Sequence, residues 1–174
     1  MMRAVLLLTL LLCPLFAQAL SFTDLASRTG SPQTLSGQFR QTKYLTLLDT
    51  SIESAGRFSY RRDDEIRWIT QTPVADELVM TPQGIDGADN PVAALIGRIF
   101  FAVMSADWPV LEQHFTLSGE LSEQGWQARL LPLDEEIAPA VERIELSGGD
   151  YLRRLELIET GGDRVRIDFS DLQP

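Results

Sequence analysis

From residue 35 onward most of this chain sets apolar residues at every second position, and a period of two belongs to strands. Leu35, Gly37 and Phe39 alternate with Ser36, Gln38 and Arg40, and the pattern continues towards Leu47. Gly56, Phe58 and Tyr60 alternate with Arg57, Ser59 and Arg61, and Asp63-Asp64 then turns the chain into 65–71, with Ile66 and Trp68 on one face. Pro73 ends that strand, and 77–81 reads as a fourth. Later, 115–121, 126–130, 141–146, 151–159 and 164–169 repeat the alternation, with Val165, Ile167 and Phe169 facing inward in the last. Short turns separate successive runs, among them 122–125, Gly148-Gly149-Asp150 and Gly161-Gly162-Asp163, the last two suited to positive φ. About nine antiparallel strands in a meander follow.

One stretch breaks this period. Residues 81–91 hold two prolines, two glycines and three Asp or Asn residues and read as a loop. Asn90 then caps a helix with Pro91 at its first position, where a missing N–H costs nothing. Over 92–105 only Arg98 is charged, and Val92, Leu95, Ile96, Ile99, Phe100 and Val103 form a wide stripe that Phe101 and Met104 extend. A helix of this kind is buried on more than one face. Two readings stay open: it completes the core of an α+β domain, or it closes a pocket against a curved sheet. Asp107 caps a further short helix to His114, and 20–28 forms a short amphipathic helix ended by Gly30.

The first nineteen residues are an address. Arg3, the leucine-rich run 5–12 and Ala17-Gln18-Ala19 have the layout of a secretory signal peptide cleaved after Ala19. Leu12 before Cys13 and Pro14 after it do not make a lipoprotein lipobox, so the only cysteine leaves with the signal. A single domain over 20–174 remains, exported to the periplasm, without thiol, disulfide or cysteine-based zinc site. Without Arg3 it carries 14 basic against 25 acidic residues, a net charge of −11. Such a chain is repelled by phosphate backbones, which excludes nucleic-acid binding.

Catalytic chemistry finds little support. The one histidine, His114, has no marked Ser and Asp partners and reads as a half-buried helix-end residue. No phosphate-binding loop, metalloprotease or dinucleotide signature is present. Asp134-Glu135-Glu136 reads as a solvated acidic loop, because consecutive side chains rarely converge on one ion. No enzyme, metal or cofactor is expected.

The run from Leu35 through Gly37-Gln38-Phe39-Arg40-Gln41 to Lys43, then Ser54-Ala55-Gly56-Arg57-Phe58-Ser59-Tyr60-Arg61-Arg62, Ile66-Arg67-Trp68 and Thr72-Pro73, resembles the periplasmic lipoprotein carriers, the LolA-like family. That resemblance implies a mainly β (α+β) fold, an open antiparallel barrel or strongly curved sheet under a helical lid, without catalytic residues. It implies that Phe39, Phe58, Tyr60 and Trp68 line an acyl-binding cavity, and that Leu95, Ile99, Phe100 and Phe101 face it from the lid. Arg62 falls where the family places a lid-latching arginine before proline; Asp63 stands in place of that proline, leaving open a turn arginine paired to Asp63 or Asp64. The 82–91 loop departs from the strand pair the family places after the x-Pro step. The C-terminal run Gly149-Asp150-Tyr151-Leu152-Arg153-Arg154-Leu155, with Glu159, Gly162-Asp163 and Ile167-Asp168-Phe169-Ser170, resembles LolA-like proteins associated with polyene-lipid or fatty-acyl export.

The implied function is a periplasmic carrier that shields acyl chains of lipoproteins or lipid-linked products, working as a monomer between an inner-membrane donor and an outer-membrane acceptor. The alternative is an envelope scaffold or stress-sensing domain that uses the same fold to bind a protein partner. The intact mass of the exported protein is expected to match residues 20–174, and a retained Cys13 bearing lipid would overturn both the address and the absence of an anchor.

Overall fold

The computed structural model describes residues 20–87 and 89–174. The expected signal peptide, its cleavage site and Cys13 lie outside the described residues. Ten antiparallel strands form one sheet. In chain order they are β1 (Thr34–Leu45), β2 (Thr50–Arg61), β3 (Ile66–Thr72), β4 (Asp76–Thr81), β5 (Gly84–Ile85), β6 (Phe115–Ser122), β7 (Gly125–Pro132), β8 (Val141–Gly148), β9 (Leu152–Glu159) and β10 (Arg164–Gln173). Helix α1 (Phe22–Arg28) precedes them, and α2 (Pro91–Met104) and α3 (Trp108–His114) lie between β5 and β6. The nine expected strands are all present, and β5 is added inside the stretch read as loop, because Met80 and Thr81 pair with Ile85 and Gly84.

The spatial order is β5-β4-β3-β2-β1-β10-β9-β8-β7-β6. Two five-strand meanders are thus joined where β1 pairs with β10, Phe39 opposite Phe169 and Gln41 opposite Ile167. The sheet does not close: β5 and β6 are its two edges although they are neighbours among the strands in sequence. The chain between them has to travel from one edge to the other, and α2 and α3 make that journey. Inward residues of strands from both meanders share one buried cluster with all three helices, so the sheet curls around them and buries one face.

Local chemistry sets the helix ends as the sequence implies. Ser21 and Asp24 form a reciprocal capping box on α1. Asn90 accepts from the Val92 N–H and Pro91 opens α2; Asp107 accepts from the Val110 N–H of α3. Gly30 does not end α1. Thr29 is the capping residue, in extended conformation, and the Gly30 N–H reaches the Asp150 carbonyl at 2.6 Å. Among the glycines of the two Gly-Gly turns only Gly162 has positive φ, at 91°. The first of these turns is instead held by Trp126, whose Nε1 donates to the Gly149 carbonyl at 2.8 Å, and by the Gly149 N–H donating to the Tyr151 carbonyl.

Gly56 governs the packing of the inner face. It lies opposite Phe39, where the β2–β3 register shifts between Ala55 and Gly56. Lacking a side chain, it lets the Phe39 and Trp68 rings stack with centroids 3.7 Å apart. A methyl group there would collide with the Ile69 carbonyl oxygen and stand 3.0 Å from the Phe39 ring. Gly56→Ala is therefore expected to destabilise the fold by about 1–3 kcal/mol, the usual cost of overpacking. Gly161→Ala, whose new methyl meets open space, should melt close to wild type; equal chemical-denaturation midpoints for the two would refute the packing role.

Candidate functional site

The inner face carries an aromatic layer. Trp68 stacks on Phe39, meets Phe169 edge-on at 6.1 Å, and lies 6.2 Å from Phe58. Phe58 and Phe169 meet edge-on at 5.4 Å. These rings come together because Phe39, Phe58 and Trp68 sit on adjacent strands at matching register, Phe58 directly opposite Trp68. Helix α2 lies over the layer. Phe100 meets Trp68 edge-on at 5.4 Å and Phe101 meets Tyr60 at 6.0 Å.

What attaches α2 is as informative as what it covers. Its hydrogen bonds outside the helical ladder are local: the Asn90 cap at its start, and the Ser105, Ala106 and Asp107 backbone at its end. Among the described residues no ion pair or side-chain hydrogen bond joins the helix to the sheet. It rests on apolar contact, closest at β5, where Gly84 and Gly97 let the two backbones approach; a Cβ on Gly97 would stand 2.7 Å from the Ile85 side chain.

Beside α2 opens a cleft of about 420 Å³, walled by α2, α3, the end of β2 and the 134–137 segment between β7 and β8. Of the residues expected to contact ligand, Tyr60, Leu95, Ile99 and Phe101 line it, together with Arg62. Phe39, Phe58, Trp68 and Phe100 do not; they form the aromatic layer and its cover.

Among the described residues Arg62 pairs with neither Asp63 nor Asp64. Its guanidinium donates to Ser31 Oγ at 2.9 Å, in the connection from α1 to β1, and its backbone N–H donates to the Gln33 carbonyl. The turn ion pairs belong to Arg61, which reaches Asp64 at 2.9 Å and Glu65 at 2.7 Å. The reason is the strand period: Arg61 faces outward and Arg62, one residue on, shares the side of Tyr60. Tyr60 is 1% exposed, and burial pushes its phenol above the ordinary value of 10.0, a rise that the neighbouring Arg62 opposes.

The cleft also contains residues to which sequence reasoning assigned no site. His114 Nδ1 lies 3.2 Å from Asp134 Oδ2. The Glu136 N–H, and secondarily His114, hold the Asp134 carboxyl below its usual range. Asp134 thus organises its own turn; among the described residues no group of three or more His, Cys, Asp or Glu side chains is arranged to hold a metal ion. The pairing of α3 with this loop has no local signal, since the two segments meet only through the β6–β7 hairpin.

A family model described as Outer membrane lipoprotein carrier protein LolA matches residues 31–174. No curated protein sequence matches the chain. Among solved structures, the MucA/MucB complex of Pseudomonas aeruginosa is similar at TM-score 0.51 and 14% identity, over 87% of this chain and 56% of that one. A LolA superfamily protein of Nitrosomonas europaea matches at TM-score 0.48 and 9% identity, over 87% of this chain and 91% of that one. At these identities the structural likeness concerns the fold alone, and the matches bear on the family as a whole rather than on the narrower acyl-export group.

The raised phenol of Tyr60 has a consequence for stability. The unfolded chain releases this proton first as pH climbs past 10.0, so the stabilisation present below that pH is lost as pH rises towards the folded value. Tyr60→Phe should flatten the alkaline fall in stability relative to wild type, measured by urea unfolding across the range; parallel curves would refute the burial of an un-ionised phenol.

Proposed function

Because the chain belongs to the LolA family of outer membrane lipoprotein carrier proteins, whose members are periplasmic binding proteins, we propose that it shields the acyl chains of lipidated cargo between an inner-membrane donor and an outer-membrane acceptor. In this reading α2 is the lid, the aromatic layer of Phe39, Phe58 and Trp68 is the floor, and acyl chains enter between them. The protein makes and breaks no covalent bond.

The observation that carries the reading is the attachment of α2. Apolar contact has no preferred direction, so a hydrocarbon chain can replace the helix against the aromatic rings without leaving a polar group unpaired. Each methylene so buried contributes about 0.8 kcal/mol, so roughly eight of them supply ~6 kcal/mol. Release then needs only a receiver that offers the chain more apolar surface. Among the described residues no helix is long and apolar enough to cross a membrane.

The family's fold also engages proteins, since MucB is solved with MucA, and the same experiment separates that use from lipid carriage. Protein purified from the periplasm should yield acyl lipid on organic extraction and mass spectrometry. Phe100 is half-buried whereas Phe101 is buried, so the two positions should part company. Phe100→Glu is expected to keep its circular dichroism and lose the lipid; Phe101→Glu places an unpaired charge in the core, at several kcal/mol, and should unfold. Unfolding of both would make α2 plain core. A lipid-free protein that binds no acyl probe and co-purifies with a stoichiometric protein partner would replace the carrier with a scaffold.

A further inference from the structure

The cleft beside α2 ends on two shielded donors that the protein does not use. Tyr60 and Arg62 stand two residues apart on one side of the chain where β2 runs out, and both line the cleft. The Tyr60 hydroxyl and the Arg62 Nε are buried, and neither meets a protein group at full hydrogen-bonding geometry, although the Arg62 guanidinium lies beside the phenol and opposes the rise in its pKa. Buried polar groups are nearly always paired, and the far end of the same guanidinium is paired, to Ser31. Two adjacent exceptions facing one cleft therefore point to a ligand acceptor.

The surrounding charge says what kind. Arg62 and Arg98 are the cleft's two guanidinium groups, whereas Asp63, Asp107, Asp134 and Glu136 are its carboxylates. Asp134 is held in its ionised form by the Glu136 N–H. Protonated or not, His114 leaves the balance negative. A carboxylate or phosphate would enter against that field; a neutral carbonyl oxygen would not, and it offers two lone pairs to two donors.

We propose that Tyr60 Oη–H and Arg62 Nε–H form a receiving point for a neutral carbonyl oxygen, that of the ester or amide joining an acyl chain to its head group. The chain runs from there along Leu95, Ile99 and Phe101 and under α2, so the cleft fixes which end of the cargo stays near solvent. The inference rests on the carrier reading and adds to it a selection at the head of the chain. Tyr60 and Arg62 are here positioning residues for cargo.

The test uses the mature protein and four fluorescent probes of equal chain length: a methyl ester, an N-methyl amide, a free fatty acid and a plain hydrocarbon. Wild type should bind the ester or the amide about tenfold more tightly than the hydrocarbon, the worth of one or two hydrogen bonds, and more tightly than the free acid at neutral pH. Tyr60→Phe and Arg62→Met, each checked by circular dichroism, should remove that advantage and leave the hydrocarbon unaffected. Whichever of ester and amide gains more identifies the linkage. A preference for the free acid would overturn the neutral acceptor. Equal binding of ester, amide and hydrocarbon by wild type would overturn the receiving point while the carrier reading stands, and that comparison needs no variant. Binding of no probe would remove both. A variant effect shared equally by all four probes would make Arg62 a lid latch instead and overturn the proposal.

Discussion

Pairing of β1 with β10 is the constraint on which the rest of the molecule depends. It joins the two meanders edge to edge, Phe39 against Phe169, and by doing so sends β5 and β6 to opposite ends of the sheet. Consecutive strands are usually spatial neighbours; here they are separated, and the chain linking them has to cross the buried side. The lid position of α2 is thus a result of topology. Any segment placed between β5 and β6 would lie across the mouth of the curl, and only a segment as apolar as 92–104 could do so without burying unpaired polar groups.

The two sides of α2 then differ in chemistry. Towards the sheet it meets aromatic rings whose contacts are dispersive and without direction. Towards α3 it borders a cleft with guanidinium and carboxylate groups, a buried phenol and the His114–Asp134 pair. A ligand with an apolar tail and a polar joint has both environments within one molecular length. Gly56 and the Gly84–Gly97 contact serve the same arrangement: the first allows the rings to stack, the second lets the helix backbone settle onto β5.

Local order was readable because it is encoded in neighbouring residues. Alternation at Gly56, Phe58 and Tyr60 marks a strand whatever it pairs with, and Asn90-Pro91 starts a helix by satisfying or removing orphan donors. The two-residue strand β5 escaped the same reading, since Gly84 and Ile85 are too few to show a period and depend on β4 for their pairing. The Gly148-Gly149 turn misled for a related reason: glycine permits positive φ but does not impose it, and there hydrogen bonds from Trp126 and to Tyr151 chose otherwise, whereas Gly162 takes it.

The sequence alone therefore determined nine of the ten strands, the capped helices and an inward face lined with Phe39, Phe58, Trp68 and Phe169, since period and capping act over a few residues. Family resemblance added the arrangement of lid and sheet. Tertiary structure alone decided that Arg61 makes the turn's ion pairs while Arg62 turns into the cleft beside Tyr60. It alone decided that the 134–137 segment walls that cleft, and which buried donors meet no protein group at full hydrogen-bonding geometry. Those outcomes depend on Ser31, α2, α3 and the β7–β8 connection converging from distant parts of the chain, and hydrogen-bond satisfaction is a property of that convergence, which no local pattern of residues encodes.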